Sequence, residues 1–152
     1  HLVTEFALTR RGFSRASLVS LITAAAAASQ SAALSAEPTP ASTPTRRNVI
    51  KQALPGEPER DLILVEVTYP PGTGSPPHLH ANGVLAFVVS GSIASKVGEE
   101  PERTYRAGEA WWEEPGAIHR ISRNASSSEA ATLLAIFVAP RGASGADLTK
   151  PI

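Results

Sequence analysis

From Asp61 to Ala139 the chain alternates short β-branched and apolar runs with tight turns, and none of the runs carries a helical period. The runs are Asp61–Tyr69 (DLILVEVTY), Val84–Ser90 (VLAFVVS), Ser92–Val97 (SIASKV), Arg103–Ala107 (RTYRA), Glu109–Glu114 (EAWWEE), His119–Arg123 (HRISR) and Ala131–Ala139 (ATLLAIFVA). Pro70-Pro71-Gly72, Ser90-Gly91, Ala107-Gly108-Glu109 and Pro115-Gly116 supply the turns, and the stretch GEEPE joins two runs as a hairpin. Strands this short cannot each bury a core alone. The pattern predicts an all-β antiparallel sandwich or barrel, whose interior is filled by side chains or holds one small ligand. No internal repeat is evident.

The rest of the chain reads differently. All 13 prolines lie at Pro38 or later, and Glu5 is the one acid before Glu37. Residues 1–36 run from a basic start through an Ala- and Leu-rich middle to small residues, the layout of an export signal. Arg10-Arg11-Gly12-Phe13 is similar to a twin-arginine motif, with cleavage expected after Ala33 or Ala36. Ser17, Ser20, Thr23, Ser29, Gln30 and Ser31 interrupt the apolar stretch and argue against a membrane span that outlasts signal removal. A second Arg46-Arg47 pair has no apolar region behind it and reads as a decoy. Residues 37–47, rich in Pro, Thr and Ser, are expected to form an extended linker, with the domain over 48–140 and a tail over 141–152. The expected location is the bacterial periplasm.

Of 14 basic and 14 acidic residues, three and one precede Glu37, so the remainder stays close to neutral. A nucleic-acid or anionic-membrane footprint would need a basic patch, which is absent. A small-molecule ligand or substrate is the expected partner. The chain has no cysteine, which excludes disulfides, zinc fingers and thiol chemistry.

His78, His80 and His119 are the histidines of the expected domain. In a strand, residues i and i+2 share a face, so His78 and His80 point the same way. His119 follows a turn and opens another run. Three imidazoles meeting from two strands suit one divalent transition ion, whether Fe, Mn, Zn, Ni or Cu. A pair of histidines on a solvated face would show the same spacing.

The surroundings of these residues are more specific. Gly72, His78, His80 and Gly91 are spaced as in the first motif of the cupin superfamily, and Gly108, Gly116 and His119 as in the second. The resemblance covers about 48–139, with 16 residues between Gly91 and Gly108 as in compact, quercetin dioxygenase-like single-domain members. It implies a jelly-roll β-barrel with a metal site inside its mouth. Two departures stand out. The family's first motif ends its ligand set with Glu, where this chain has Val84, and no other carboxylate lies between His80 and Gly91. The Pro and Asn of the second motif are each one residue late, at Pro115 and Asn124, with Glu114 and Arg123 in their places.

A three-histidine site resembles the iron centres of some cupin-type dioxygenases, which bind substrate directly on the metal. For this chain it implies a small enolisable or anionic substrate. A metal-dependent isomerase, lyase or decarboxylase, and a non-catalytic barrel that binds a ligand or stores metal, remain open alternatives. Val84, Ala86 and Val88 are expected to wall the pocket, with Leu85, Phe87 and Val89 turned into inter-strand packing. On this reading Val84 faces an open metal mouth, so a Val84→Glu chain should still fold. Trp111 and Trp112 must face opposite sides, one toward the core and the other toward the pocket or a homodimer surface. Glu113 and Glu114 also alternate. Either could reach the metal mouth as a catalytic base or as a partner supporting a ligand, and a solvated acidic rim is the reading favoured over both. Arg120 and Arg123, beside His119, could steer an anion or simply be solvated.

Overall fold

The computed structural model describes residues 42–152. The expected export signal over 1–36, and the start of the expected linker, lie outside those residues.

Alternating burial explains the main strands. In β2 (Arg60–Tyr69) the residues Asp61, Ile63, Val65, Val67 and Tyr69 point inward while Leu62, Leu64, Glu66 and Thr68 stay partly exposed. The strand β10 (Ala131–Pro140) repeats this with Leu133, Ala135 and Phe137 inward, and pairs with β2 without a break from Ala131–Tyr69 to Pro140–Arg60. One antiparallel sheet runs β1 (Thr45–Ala53), β2, β10, β5 (Val84–Ser90), β8 (Ala110–Glu113). The other runs β11 (Lys150–Pro151), β4 (His78–Leu79), β9 (Ile118–Asn124), β6 (Ser92–Val97), β7 (Arg103–Arg106), with β3 (Gly74–Ser75) also on β9. The core lies between the sheets, built on Val65, Val84, Val88, Ile93, Leu133 and Phe137. This is the jelly-roll fold that the sequence predicts. No helix among the described residues is long and apolar enough to cross a membrane.

Gly91 joins β5 in the first sheet to β6 in the second. Its φ is +69°, and a Cβ there would sit 2.6 Å from the Ala130 carbonyl oxygen, so neither the backbone angle nor the space admits a side chain. Asn124 fastens the same end of the barrel: its Nδ2 donates to the carbonyls of Tyr69, Pro70 and Glu129, and its Oδ1 accepts from the Ser126 amide. The late position of this Asn is therefore compatible with a structural clamp.

Three expectations change. The linker does not extend to residue 47, because β1 begins at Thr45. Every residue of β1 is exposed, so this edge strand has no buried face to read from sequence. Nor are residues 141–152 a loose tail. After a turn with Ala143 buried, a single helical turn α1 (Gly145–Leu148) buries Leu148, and β11 then pairs with β4. Leu85, Phe87 and Val89 lie 38–47 % exposed on the outer face of the first sheet, not in inter-strand packing.

Candidate metal centre

Strand pairing assembles the histidines. His78 and His119 are directly opposed in the β4–β9 ladder, so their rings share a face at 5.0 Å between centroids. His80 lies just past β4, with its ring 4.9 Å from that of His78. One nitrogen from each of the three comes within 4.8 Å of the others.

The outward-facing nitrogens are all held. His78 Nδ1 lies 2.8 Å from the Pro76 carbonyl and His80 Nδ1 2.7 Å from the Leu148 carbonyl. A carbonyl only accepts, so both Nδ1 atoms carry the proton and both Nε2 lone pairs are free. His119 Nε2 meets Ser95 Oγ at 2.8 Å, leaving Nδ1 for the site. A bond that fixes the remote nitrogen of a ligand histidine is the usual support of a metal site. Burial lowers the basicity of His78, and takes His80 to about 4 and His119 to about 3, the latter with help from the two neighbouring imidazoles. All three are neutral near pH 7, the form that ligates.

These rings open on a cavity of about 520 Å³, inside the range of small-molecule sites. Val65, Val67, Leu133, Ala135, Phe137 and Leu148 give it apolar walls, and among the described residues Arg46 is the one cationic side chain that lines it. The Arg46 guanidinium is anchored on Ser75 Oγ at 3.0 Å. Arg47, next in sequence, points to the opposite face of β1 and bonds Glu66.

Of the residues singled out in the sequence, Val84, Ala86, Trp111 and Glu113 line this cavity with the three histidines. Val88 is fully buried in the core and does not line it. Trp112 is 51 % exposed on the outer face and does not line this cavity; Trp111 is the inward one and stacks on Tyr105. Val84 is only 2 % exposed, a packed wall and not an open mouth, which removes the reason for expecting Val84→Glu to fold unaided. Glu114 is exposed, as a rim residue would be, and lines no part of the cavity. Arg120 and Arg123 are engaged by Glu99 and Glu102 on the surface.

Glu113 is the opposite of a solvated acid. It is 2 % exposed, its Oε1 accepts from Trp111 Nε1 at 3.0 Å, and burial raises its carboxyl to about 7. Oε1 lies 3.1 Å from His119 Nδ1 and Oε2 lies 3.9 Å from His80 Nε2. With both histidines neutral these are not salt bridges. Oε2 has no hydrogen-bond partner at all. A buried orphan oxygen beside the lone pair of His80 is what a cation would satisfy, so the donor set fits a divalent ion. Neither Arg46 nor the Leu148 carbonyl carries a sequence signal; only the alternation Trp111–Glu113 could have suggested an inward acid.

Two antiparallel sheets around a cavity with three inward histidines define a jelly-roll barrel with a candidate metal site. Residues 65–137 match the family described as the cupin domain. Solved structures agree on the fold. TT1209 from Thermus thermophilus is 28 % identical, with a TM-score of 0.52 over 64 % of this chain and 84 % of that one. An uncharacterized conserved protein with a double-stranded β-helix domain from Klebsiella pneumoniae is 22 % identical, with a TM-score of 0.52 over 71 % and 85 %. An RmlC-like cupin family protein from Methanocaldococcus jannaschii is 14 % identical, with a TM-score of 0.51 over 64 % and 82 %. Among curated proteins, none matches the sequence.

Proposed function

We propose that the protein is an exported, metal-dependent cupin that binds a small enolisable or anionic molecule beside one divalent ion and acts on it as a dioxygenase. The observation that carries the reading is the set of three neutral, pre-oriented imidazoles on the wall of a cavity of about 520 Å³. His78, His80 and His119 would hold the ion. The ion supplies Lewis acidity and substrate coordination and, where it is iron, oxygen chemistry. The chain does the rest: Val67, Leu133 and Phe137 keep water from the body of the substrate, and Arg46 at the cavity offers an anionic group a partner. The rigid carbonyl and hydroxyl contacts behind each ring keep the donors aimed when the cavity is empty.

The test is an oxygen electrode run on protein purified without a histidine tag and loaded with iron(II), against a panel of β-dicarbonyl compounds and 2-oxo acids. Oxygen uptake matched to substrate loss supports the dioxygenase. Turnover without uptake assigns an isomerase, lyase or decarboxylase instead, and binding without turnover a ligand-binding barrel. The export component rests on Arg10-Arg11-Gly12-Phe13. Changing Arg10 and Arg11 to Lys should retain the unprocessed chain in the cytoplasm, and unaltered processing would overturn that component.

A further inference from the structure

We propose that Glu113 is a fourth ligand of the metal site, delivered by β8 in place of the carboxylate that β5 lacks at Val84. The proposal rests on the three-histidine metal reading and adds a residue to it.

The register makes the exchange geometrically simple. Val84 and Glu113 are Cα partners in the antiparallel β5–β8 ladder, and directly opposed residues of a ladder project from the same face. A carboxylate lost from one strand can therefore be restored to the same cavity from the other. Along β5 itself the acid could not slip by one residue, because that step reverses the face.

The chemistry of the site asks for such a group. Glu113 is almost completely buried, yet one Trp111 indole is its single hydrogen-bond donor, and Oε2 has none. A buried acceptor left without a partner is among the costlier features a fold can keep. The carbonyls behind His78 and His80 force the protons onto Nδ1, so His80 Nε2 presents a lone pair toward Glu113 Oε2 at 3.9 Å. His119 Nδ1 stands 3.1 Å from Oε1, with its remote nitrogen taken by Ser95. The His80 lone pair has nothing to donate to Oε2, and a cation among these atoms would satisfy both. Two atoms that ligate one ion at about 2.1 Å stand about 3.0–3.4 Å apart, so the His119–Glu113 pair is already at ligand spacing and the His80–Glu113 pair needs only a small adjustment. One carboxylate would also reduce the charge at a divalent site from +2 to +1, which tempers its attraction for anions relative to a three-histidine centre.

The test uses the full chain without a histidine tag, with zinc(II) and cobalt(II) as probes and a competing chelator. Wild type should bind one ion, and Glu113→Gln should bind at least about tenfold more weakly with an altered cobalt absorption spectrum. The cross-strand exchange Val84→Glu with Glu113→Val should recover affinity toward wild type, which a merely structural acid would not permit. Should either variant fail to fold, a crystal structure of the zinc-loaded wild type decides: a Glu113 oxygen at about 2.0–2.2 Å from zinc supports the proposal. An ion held by three histidines with both oxygens beyond about 3 Å, or unchanged affinity and spectrum in Glu113→Gln, overturns it and leaves the three-histidine reading standing. A wild type that takes up neither metal overturns both, and Glu113 is then a protonated acid donating to His119.

Discussion

Ser95 is placed to act through His119 without touching the cavity. Its hydroxyl fixes the remote nitrogen, and with it the ring angle and tautomer of that ligand. Ser95→Ala should fold, since the residue is small and buried, and should bind zinc about 10- to 100-fold more weakly in a chelator competition, the usual cost of losing such a support. Unchanged affinity would mean that packing alone orients the ring. Acid should act on the same three histidines in metal-free protein. Their basicity is lowered in the fold from an ordinary 6.5, to about 4 at His80 and about 3 at His119, so below about pH 6.5 the unfolded chain takes up protons that the folded chain refuses. Glu113 works the other way, because it holds a proton up to about 7 when folded and loses it near 4.5 when unfolded. Three groups oppose one, so Tm of the metal-free protein should fall as pH drops from 6.5 to 5. A flat or rising Tm over that interval would contradict neutral buried imidazoles.

At the scale of elements, both ends of the described chain belong to the site. The segment after Pro140 supplies the Leu148 carbonyl that holds His80, and Gly145, Ala146, Leu148 and Thr149 form part of the cavity wall. Stopping the chain at Pro140 should leave the two sheets paired, because β11 joins only β4 at an edge. It should still weaken zinc binding by about 10- to 100-fold through the freed His80 ring. Circular dichroism and chelator competition together check this, and full affinity in the shortened chain would show the contact to be dispensable. The other end, β1, is an exposed edge strand whose alternation sends Arg46 to the cavity and Arg47 to Glu66. Arg46→Gln should reduce affinity for a 2-oxo acid about tenfold, while leaving affinity for zinc within about twofold. Calorimetry with both ligands separates the two effects, and equal 2-oxo acid affinities would remove Arg46 from the binding site. The tenfold figure sits at the low end for a charge-assisted contact because the residue is exposed.

For the whole molecule, metal binding and stability are linked, since the ligands converge only in the folded state. An ion at a hundredfold excess over its Kd adds about 2.7 kcal/mol to folding, which for a domain near 100 residues raises Tm by roughly 10–20 °C. Thermal melts with zinc should show this in wild type and lose most of it in His78→Ala, His80→Ala and His119→Ala. A rise that survives all three substitutions would place the ion elsewhere.

The sequence determined the parts of this protein that depend on neighbours in the chain. Turn residues at short intervals set the strands, alternation in DLILVEVTY and ATLLAIFVA set their inward faces, and the Gly and His spacings marked His78, His80 and His119. What tertiary structure decided are relations across ladders, where spacing in sequence carries no information. Val84 and Glu113 are 29 positions apart and become partners only through the β5–β8 register. That register turns an acid readable as a solvated rim into the most buried charge-bearing group beside the histidines. The same holds for Arg46 in a fully exposed edge strand without a buried face, and for Leu148, whose part in holding His80 is played by a backbone carbonyl that every residue possesses. Local propensity fixes which residues form strands; only the pairing of those strands fixes which side chains meet.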